Sequence, residues 1–142
     1  QVPKPGPDGT LLFPLPMGDC KLPGIAAGDI GRAAYGVFEL GTSAVGRTIG
    51  IAGEHLTGAQ MAAGLTRALG REVRHNAVTP EVFRGFGFPG ADDLGNMFQF
   101  KAEFEAQFCG ARNVEETRRL NPGLQGFATW LERNKARIPL EG

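Results

Sequence analysis

Three glycines in this chain, Gly85, Gly87 and Gly90, have the G-x-G-x-x-G spacing with which a backbone can wrap a pyrophosphate. That chemistry needs a strand directly before the first glycine and a helix opening at the last, so that amide N–H groups converge on the anion. The preceding residues read otherwise. Thr79-Pro80-Glu81 is a helix start, with Thr79 as N-cap, proline at the first helical position and an acid in the first turn. The glycines therefore follow a helix, and they read as a hinge between two helices. Phe83, Phe86, Phe88, Phe98 and Phe100, half of the ten phenylalanines, crowd this stretch, where glycines let rings approach closely.

The other chemistry-bearing side chains stand apart. His55 precedes a helix cap and His75 lies within a strand pattern, with no metal-ligand spacing to each other or to Cys20 and Cys109. A satisfied structural role suits His75, because catalysis would need a base–nucleophile relation that the pattern does not show. The cysteines form no C-x-x-C and read as reduced thiols of a cytoplasmic protein, with a single disulfide left open. Ser43 lacks the G-x-S-x-G frame of a nucleophile elbow. The one tyrosine, Tyr35, is followed four residues later by Glu39 and not by a lysine. Asp29 reads as a helix N-cap in preference to a catalytic acid, since capping needs only that one residue. No catalytic, cofactor-binding or metal-binding set assembles from these positions.

At 142 residues, with 42% hydrophobic and 21% charged side chains, the chain has the size and composition of one globular domain or part of one. Fifteen basic and fifteen acidic side chains leave no net field to attract nucleic acid or an anionic membrane. The arginines at Arg118-Arg119 and Arg133–Arg137 alternate with Glu115, Glu116 and Glu132, as on a solvated helix face. Neither a membrane span nor a signal peptide is visible, and the opening at Gln1 without methionine suggests a fragment or processed product.

The elements that position these residues follow from periodicity. Thr10–Phe13 reads as a strand closed by Pro14, and Lys21–Ala26 as an extended piece confined to an edge by Pro23. A helix is expected from Asp29, with Ile30, Ala33, Ala34, Val37 and Leu40 inward, ending at Gly41. Arg47–Ala52 reads as a strand. Thr57 and Gln60 then form a T-x-x-Q capping box, opening a helix that stops at Gly70, and Val73–Val78 is the next strand. Strand, helix and strand joined by short connections make a βαβ grammar. From Thr79 onward the pattern is helical only, including one helix over about 91–108 and others over 114–120 and around Phe127 to Leu131.

Several segments together resemble the C-terminal half of the NmrA-like family, NAD(P)-binding proteins related to short-chain dehydrogenases/reductases. They include Gly28-Asp29-Ile30-Gly31, Leu56-Thr57, Val78-Thr79-Pro80-Glu81, Gly87-Phe88-Pro89-Gly90-Ala91 and Asn96-Met97-Phe98-Gln99-Phe100, with Arg119-Leu120-Asn121-Pro122 and Trp130-Leu131-Glu132 towards the end. The resemblance implies an α/β fold: the C-terminal portion of a Rossmann-type NAD(P)-binding protein, with a few strands followed by a helical subdomain. Residues 1–78 would be mixed and 79–142 helical, and the N-terminal dinucleotide-binding half would be absent. The parent would bind NADP or NAD, whereas this chain alone would bind no cofactor, because the family's cofactor contacts precede Gln1.

The resemblance leaves two activities open, a redox-sensing regulator and an NAD(P)H-dependent reductase (an oxidoreductase) of small electrophiles. In either, Phe83, Phe86, Phe88, Met97 and Phe98 are candidates for the wall of a pocket facing the nicotinamide, and the missing Rossmann half is the first partner. A protein partner or a small-molecule substrate would be the second. The competing class is a self-sufficient protein-interaction module using the Phe83–Phe100 surface.

Overall fold

The computed structural model describes residues 2–140. Strand β2 (Leu11–Pro14) alternates buried and half-buried residues, and the chain beyond it stays buried through Leu15 and Met17. It runs parallel to β5 (Val73–Asn76), with Leu11 opposite Val73 and Pro14 opposite Asn76. The two-residue β1 (Lys4–Pro5) lies antiparallel along the other edge of β2. A second sheet pairs β3 (Lys21–Gly24) antiparallel with β4 (Glu54–Thr57), so Pro23 sits where proline costs least, in a two-stranded ladder.

Helix α1 (Ala27–Glu39) follows β3, and α2 (Gly58–Leu69) joins β4 to β5. The remaining helices are α3 (Pro80–Arg84), α4 (Ala91–Glu103), α5 (Glu105–Gly110), α6 (Val114–Leu120) and α7 (Phe127–Asn134). One apolar cluster unites the layers: Leu11, Phe13 and Val73 from the sheet, Ala62 and Leu65 from α2, Phe83 from α3, Phe98 from α4 and Leu131 from α7. Thr66 ties α2 to β5 directly, its hydroxyl accepting the Val73 N–H at 2.9 Å.

Helix α2 begins where the capping box places it. The Thr57 side chain accepts the Gln60 N–H, the Gln60 side chain accepts the Thr57 N–H, and Gly70 closes the helix at φ 65°. Thr79 caps α3 by accepting the Val82 N–H, and Asn113 caps α6 through Glu116. The three glycines occupy the turn between α3 and α4, where Gly87 and Gly90 take φ of 67° and 83° that an L side chain resists. They follow a helix and not a strand.

Five expectations are corrected. Asp29 does not cap α1: the N-cap is Ala26, and Asp29 sits inside the first turn, completely buried. Donors of Asn121 and Gln125, described below, draw its carboxylate inward. The face α1 turns in is Asp29, Ala33 and Gly36, spaced i, i+4, i+7, while Ile30 and Leu40 are exposed. A Cβ on Gly36 would overlap the Leu120 carbonyl, so this small-residue face is what lets α1 close on α6.

Arg47–Ala52 is not a strand. Its backbone is satisfied by single partners: Ala52 N–H donates to the Thr117 hydroxyl at 3.0 Å, and the neighbouring Gly53 N–H to Gly24 O at 2.7 Å. The expected 91–108 helix breaks at Phe104, whose φ of −112° and ψ of 32° leave the helical region. Finally, the βαβ unit expected from Arg47–Ala52, α2 and Val73–Val78 does not form. β5 instead pairs with β2, and the β3–α1–β4 segment is inserted within that crossover.

Candidate functional site at the strand ends

Parallel strands send their carboxyl ends the same way, and in open α/β sheets ligands bind in the crevice outside those ends. Here the chain leaves β2 through Pro16-Met17-Gly18 and β5 through Ala77-Val78-Thr79. The two exits border one hollow of about 430 Å³, closed on its far side by Gln99, Ala102 and Glu103 of α4. The volume falls within the range of small-molecule sites.

Its polar groups are ordered from behind by Arg84. The guanidinium donates through Nη1 to Gln99 Oε1 at 3.0 Å and Asn96 Oδ1 at 3.1 Å, and through Nη2 to Glu81 Oε1 at 3.0 Å. Gln99 in turn donates through Nε2 to Glu103 Oε1 at 2.8 Å. Gly95 admits this arrangement, since a Cβ there would press on the Arg84 side chain. The Glu81 carboxyl is held below its ordinary range by its own backbone N–H, then by the Thr79 hydroxyl and Arg84. Two glutamates, a glutamine and a threonine thus border a mainly apolar cleft. Such a wall can bind and orient a ligand and disfavours an anionic one.

The phenylalanines singled out from the sequence lie behind this wall. Phe83 is fully buried, with the rings of Phe86, Phe88 and Phe98 each 5.6 Å from its centroid. Phe88 and Met97 are half-buried against the same core, and Phe86 is exposed. None of the five borders the strand-end hollow or the second, larger hollow beside the β3–β4 sheet. They brace α3 against α4 and so fix the separation of Glu81 from Gln99. Thr79 does border the hollow, in addition to capping α3. Met17, Gln99 and Glu103 escaped the sequence reading. The signal that finds them is the parallel pairing of β2 with β5, which identifies the two exits as neighbours.

Both histidines are tied to backbone carbonyls. His75 Nε2 lies 3.1 Å from the Leu15 carbonyl, which can only accept, so Nε2 carries the proton and bridges the exits of the two strands. His55 Nε2 donates likewise to Arg112 O at 2.8 Å. The two free cysteines come to one corner, Cys20 Sγ 3.7 Å from Ala102 O and Cys109 Sγ 3.7 Å from Lys21 O, and burial pushes both thiols up. No cluster able to hold a metal occurs among the described residues, and no described helix is long and apolar enough to cross a membrane.

The sequence pattern of the NmrA-like family matches residues 2–131. The chain belongs to the NmrA-like family. Among solved structures, NmrA, a negative transcriptional regulator in complex with NAD, superposes with a TM-score of 0.70 at 24% identity, covering 94% of this chain and 47% of that one. The Citrobacter sp. triphenylmethane reductase complexed with NADP(H) gives 0.70 at 16% identity, covering 86% and 44%. The NADPH-dependent quinone oxidoreductase from Escherichia coli gives 0.60 at 21%, covering 86% and 44%. At these identities the likeness shows the fold, which is that of Rossmann-type NAD(P)-binding proteins. This NmrA-like chain spans less than half the length of each of the three.

Proposed function

We propose that this chain is the substrate- or partner-facing portion of an NmrA-like NAD(P)-binding protein, whose dinucleotide-gripping half is supplied by sequence outside these residues. The parent uses NADP or NAD either to reduce a small electrophile or to report redox state to a protein partner. The observation that carries this is the hollow at the carboxyl ends of β2 and β5, the side of an α/β sheet on which ligands sit. The solved relatives with NAD, NADP(H) or NADPH bound support the choice of cofactor.

Where the cofactor comes from the other half, this chain's part is to shape the opposite wall. Glu81, Gln99 and Glu103, locked by Arg84, then select what approaches the nicotinamide. The test is a chain beginning well upstream of Gln1, titrated with NADPH and NADH beside the 142-residue chain. The longer protein binds and the shorter does not; failure of the longer protein to bind either dinucleotide removes the reading. Adding a quinone or a triphenylmethane dye and following NADPH oxidation separates reductase from sensor. In the longer protein, Gln99→Ala weakens substrate or partner about tenfold, the worth of one hydrogen bond, and leaves dinucleotide affinity unchanged.

A second reading, a self-contained interaction module, draws support from Phe100 and Phe104, which are exposed and pack ring against ring at 4.9 Å. Size-exclusion of the 142-residue chain tests it: a monomer at all concentrations that captures no partner through this patch counts against it.

A further inference from the structure

The larger hollow has no part in the proposed function. It lies between the β3–β4 sheet and the start of α7, measures about 540 Å³ and shares no lining residue with the strand-end hollow. Leu22 and Leu56, opposite one another in that sheet, form one wall with Met61 of α2. Phe127 and Trp130 of α7, their rings within 8° of parallel, form the other. The hollow opens to solvent, and its volume lies within the range of small-molecule sites.

The polar edge of the hollow is fixed in advance. Glu54 accepts the Phe127 N–H at Oε2, which secures the first turn of α7. That anchoring occupies one carboxylate oxygen, and among the described residues no donor meets Oε1. Gln125, the other polar side chain on the wall, is engaged at both ends, donating through Nε2 to Asp29 at 3.2 Å and accepting from Arg133 at 3.0 Å. No basic side chain lines the space.

We propose that this hollow is a second small-molecule site, built for an amphiphilic amine. The flat apolar body fills the space between Leu22, Met61 and Trp130, and the ammonium group meets Glu54 Oε1. A neutral apolar ligand would strip water from the carboxylate without replacing it, and an acid would meet that carboxylate with no cation lining the space to offset it.

Trp130 is the one tryptophan of the chain, so its emission reports the site directly. Two probes with the same body and opposite heads, 4-tert-butylbenzylamine and 4-tert-butylbenzoate, are titrated into the 142-residue chain. The amine changes Trp130 emission saturably and shifts the amide resonances of Leu22, Leu56 and Phe127, while the benzoate produces no saturable change. Glu54→Gln, whose amide oxygen still accepts from Phe127, weakens the amine at least tenfold. Leu56→Phe narrows the hollow without touching the carboxylate and weakens it as well, which decides the matter should the Glu54 variant fold poorly. A non-saturating response, an equal response to both probes, or unchanged amine affinity in a folded variant overturns the proposal. None of these outcomes bears on dinucleotide binding by a longer chain.

Discussion

At the scale of single residues, Asp29 is the side chain on which most depends. It is completely buried, and its carboxylate accepts from Asn121 Nδ2 at 2.9 Å, Gln125 N at 3.0 Å, Gln125 Nε2 at 3.2 Å and Arg32 Nη1 at 3.1 Å. Burial by itself pushes this carboxyl up, but the donors from Gln125, Asn121 and Arg32 outweigh it and the carboxyl titrates below its ordinary value. A folded value below the unfolded one, about 3.9, means that the stabilisation is complete above that pH. It is lost as pH falls through the folded value. Asp29→Asn turns an amide N–H towards donors that need an acceptor, and costs about 2–3 kcal/mol at neutral pH. Urea midpoints against pH check both points: the variant should lose part of the acid-side slope, and an unchanged slope would mean the network does not hold the charge. A second residue-scale prediction concerns Gly58, where a Cβ would overlap the His75 ring. Gly58→Ala should cost about 1–3 kcal/mol, and His75→Ala in the same chain should recover part of it, the signature of direct contact in a double-mutant cycle.

At the scale of elements, α1 offers an internal control. Gly31 and Gly36 lie on the same helix, but a Cβ at Gly31 meets nothing while one at Gly36 overlaps the Leu120 carbonyl. Gly31→Ala should therefore stabilise by about 0.5–1 kcal/mol through helix propensity and a less disordered unfolded chain. Gly36→Ala should destabilise, because backbone cannot move aside as a flexible side chain can. Thermal midpoints moving in the same direction for both would contradict the docking of α1 on α6. The sequence already held every element whose signal is local. The α2 capping box, Thr79 before Pro80, Asn113 before α6 and the glycines between α3 and α4 are all set by neighbours within four residues. What it did not reveal depends on distant partners. Asp29 looks like an N-cap until Gln125 and Asn121 are seen to claim its oxygens. Thr48-Ile49-Gly50-Ile51 looks like a strand, but its backbone fits against Ala111 and Thr117 instead, where Gly50 leaves no room for a Cβ beside the Ala111 carbonyl. The break at Phe104 is likewise invisible in a stripe of phenylalanines at helical spacing.

Across the whole molecule, the pairing that matters most joins residues some sixty positions apart, β2 with β5, and a candidate site that depends on it could not be read by proximity in sequence. The two-stranded β3–β4 sheet is separate from that pair, and the two are joined through α2, which runs from β4 to β5, and the α7 packed on it. The first N–H of α7 is held by Glu54 of β4, and Phe127 and Leu131 pack against Gly64 of α2. The turn leading into it supplies Gln125 to Asp29 of α1, and Leu131 is buried in the common core. If α7 is part of that joint, loosening it should weaken both sheets together instead of releasing one. Leu131→Ala removes a fully buried side chain and leaves a cavity, a change that costs about 2–5 kcal/mol. Trp130 emission follows α7 and the β3–β4 sheet, whereas far-UV circular dichroism follows the bulk of the helices and strands. In urea both should move to lower midpoints by the same amount and remain superimposed, as a single cooperative transition requires. A variant in which Trp130 responds early while the dichroism keeps its original midpoint would show that the β3–β4 sheet and α7 form a separable unit, and that the core around β2 and β5 stands without them.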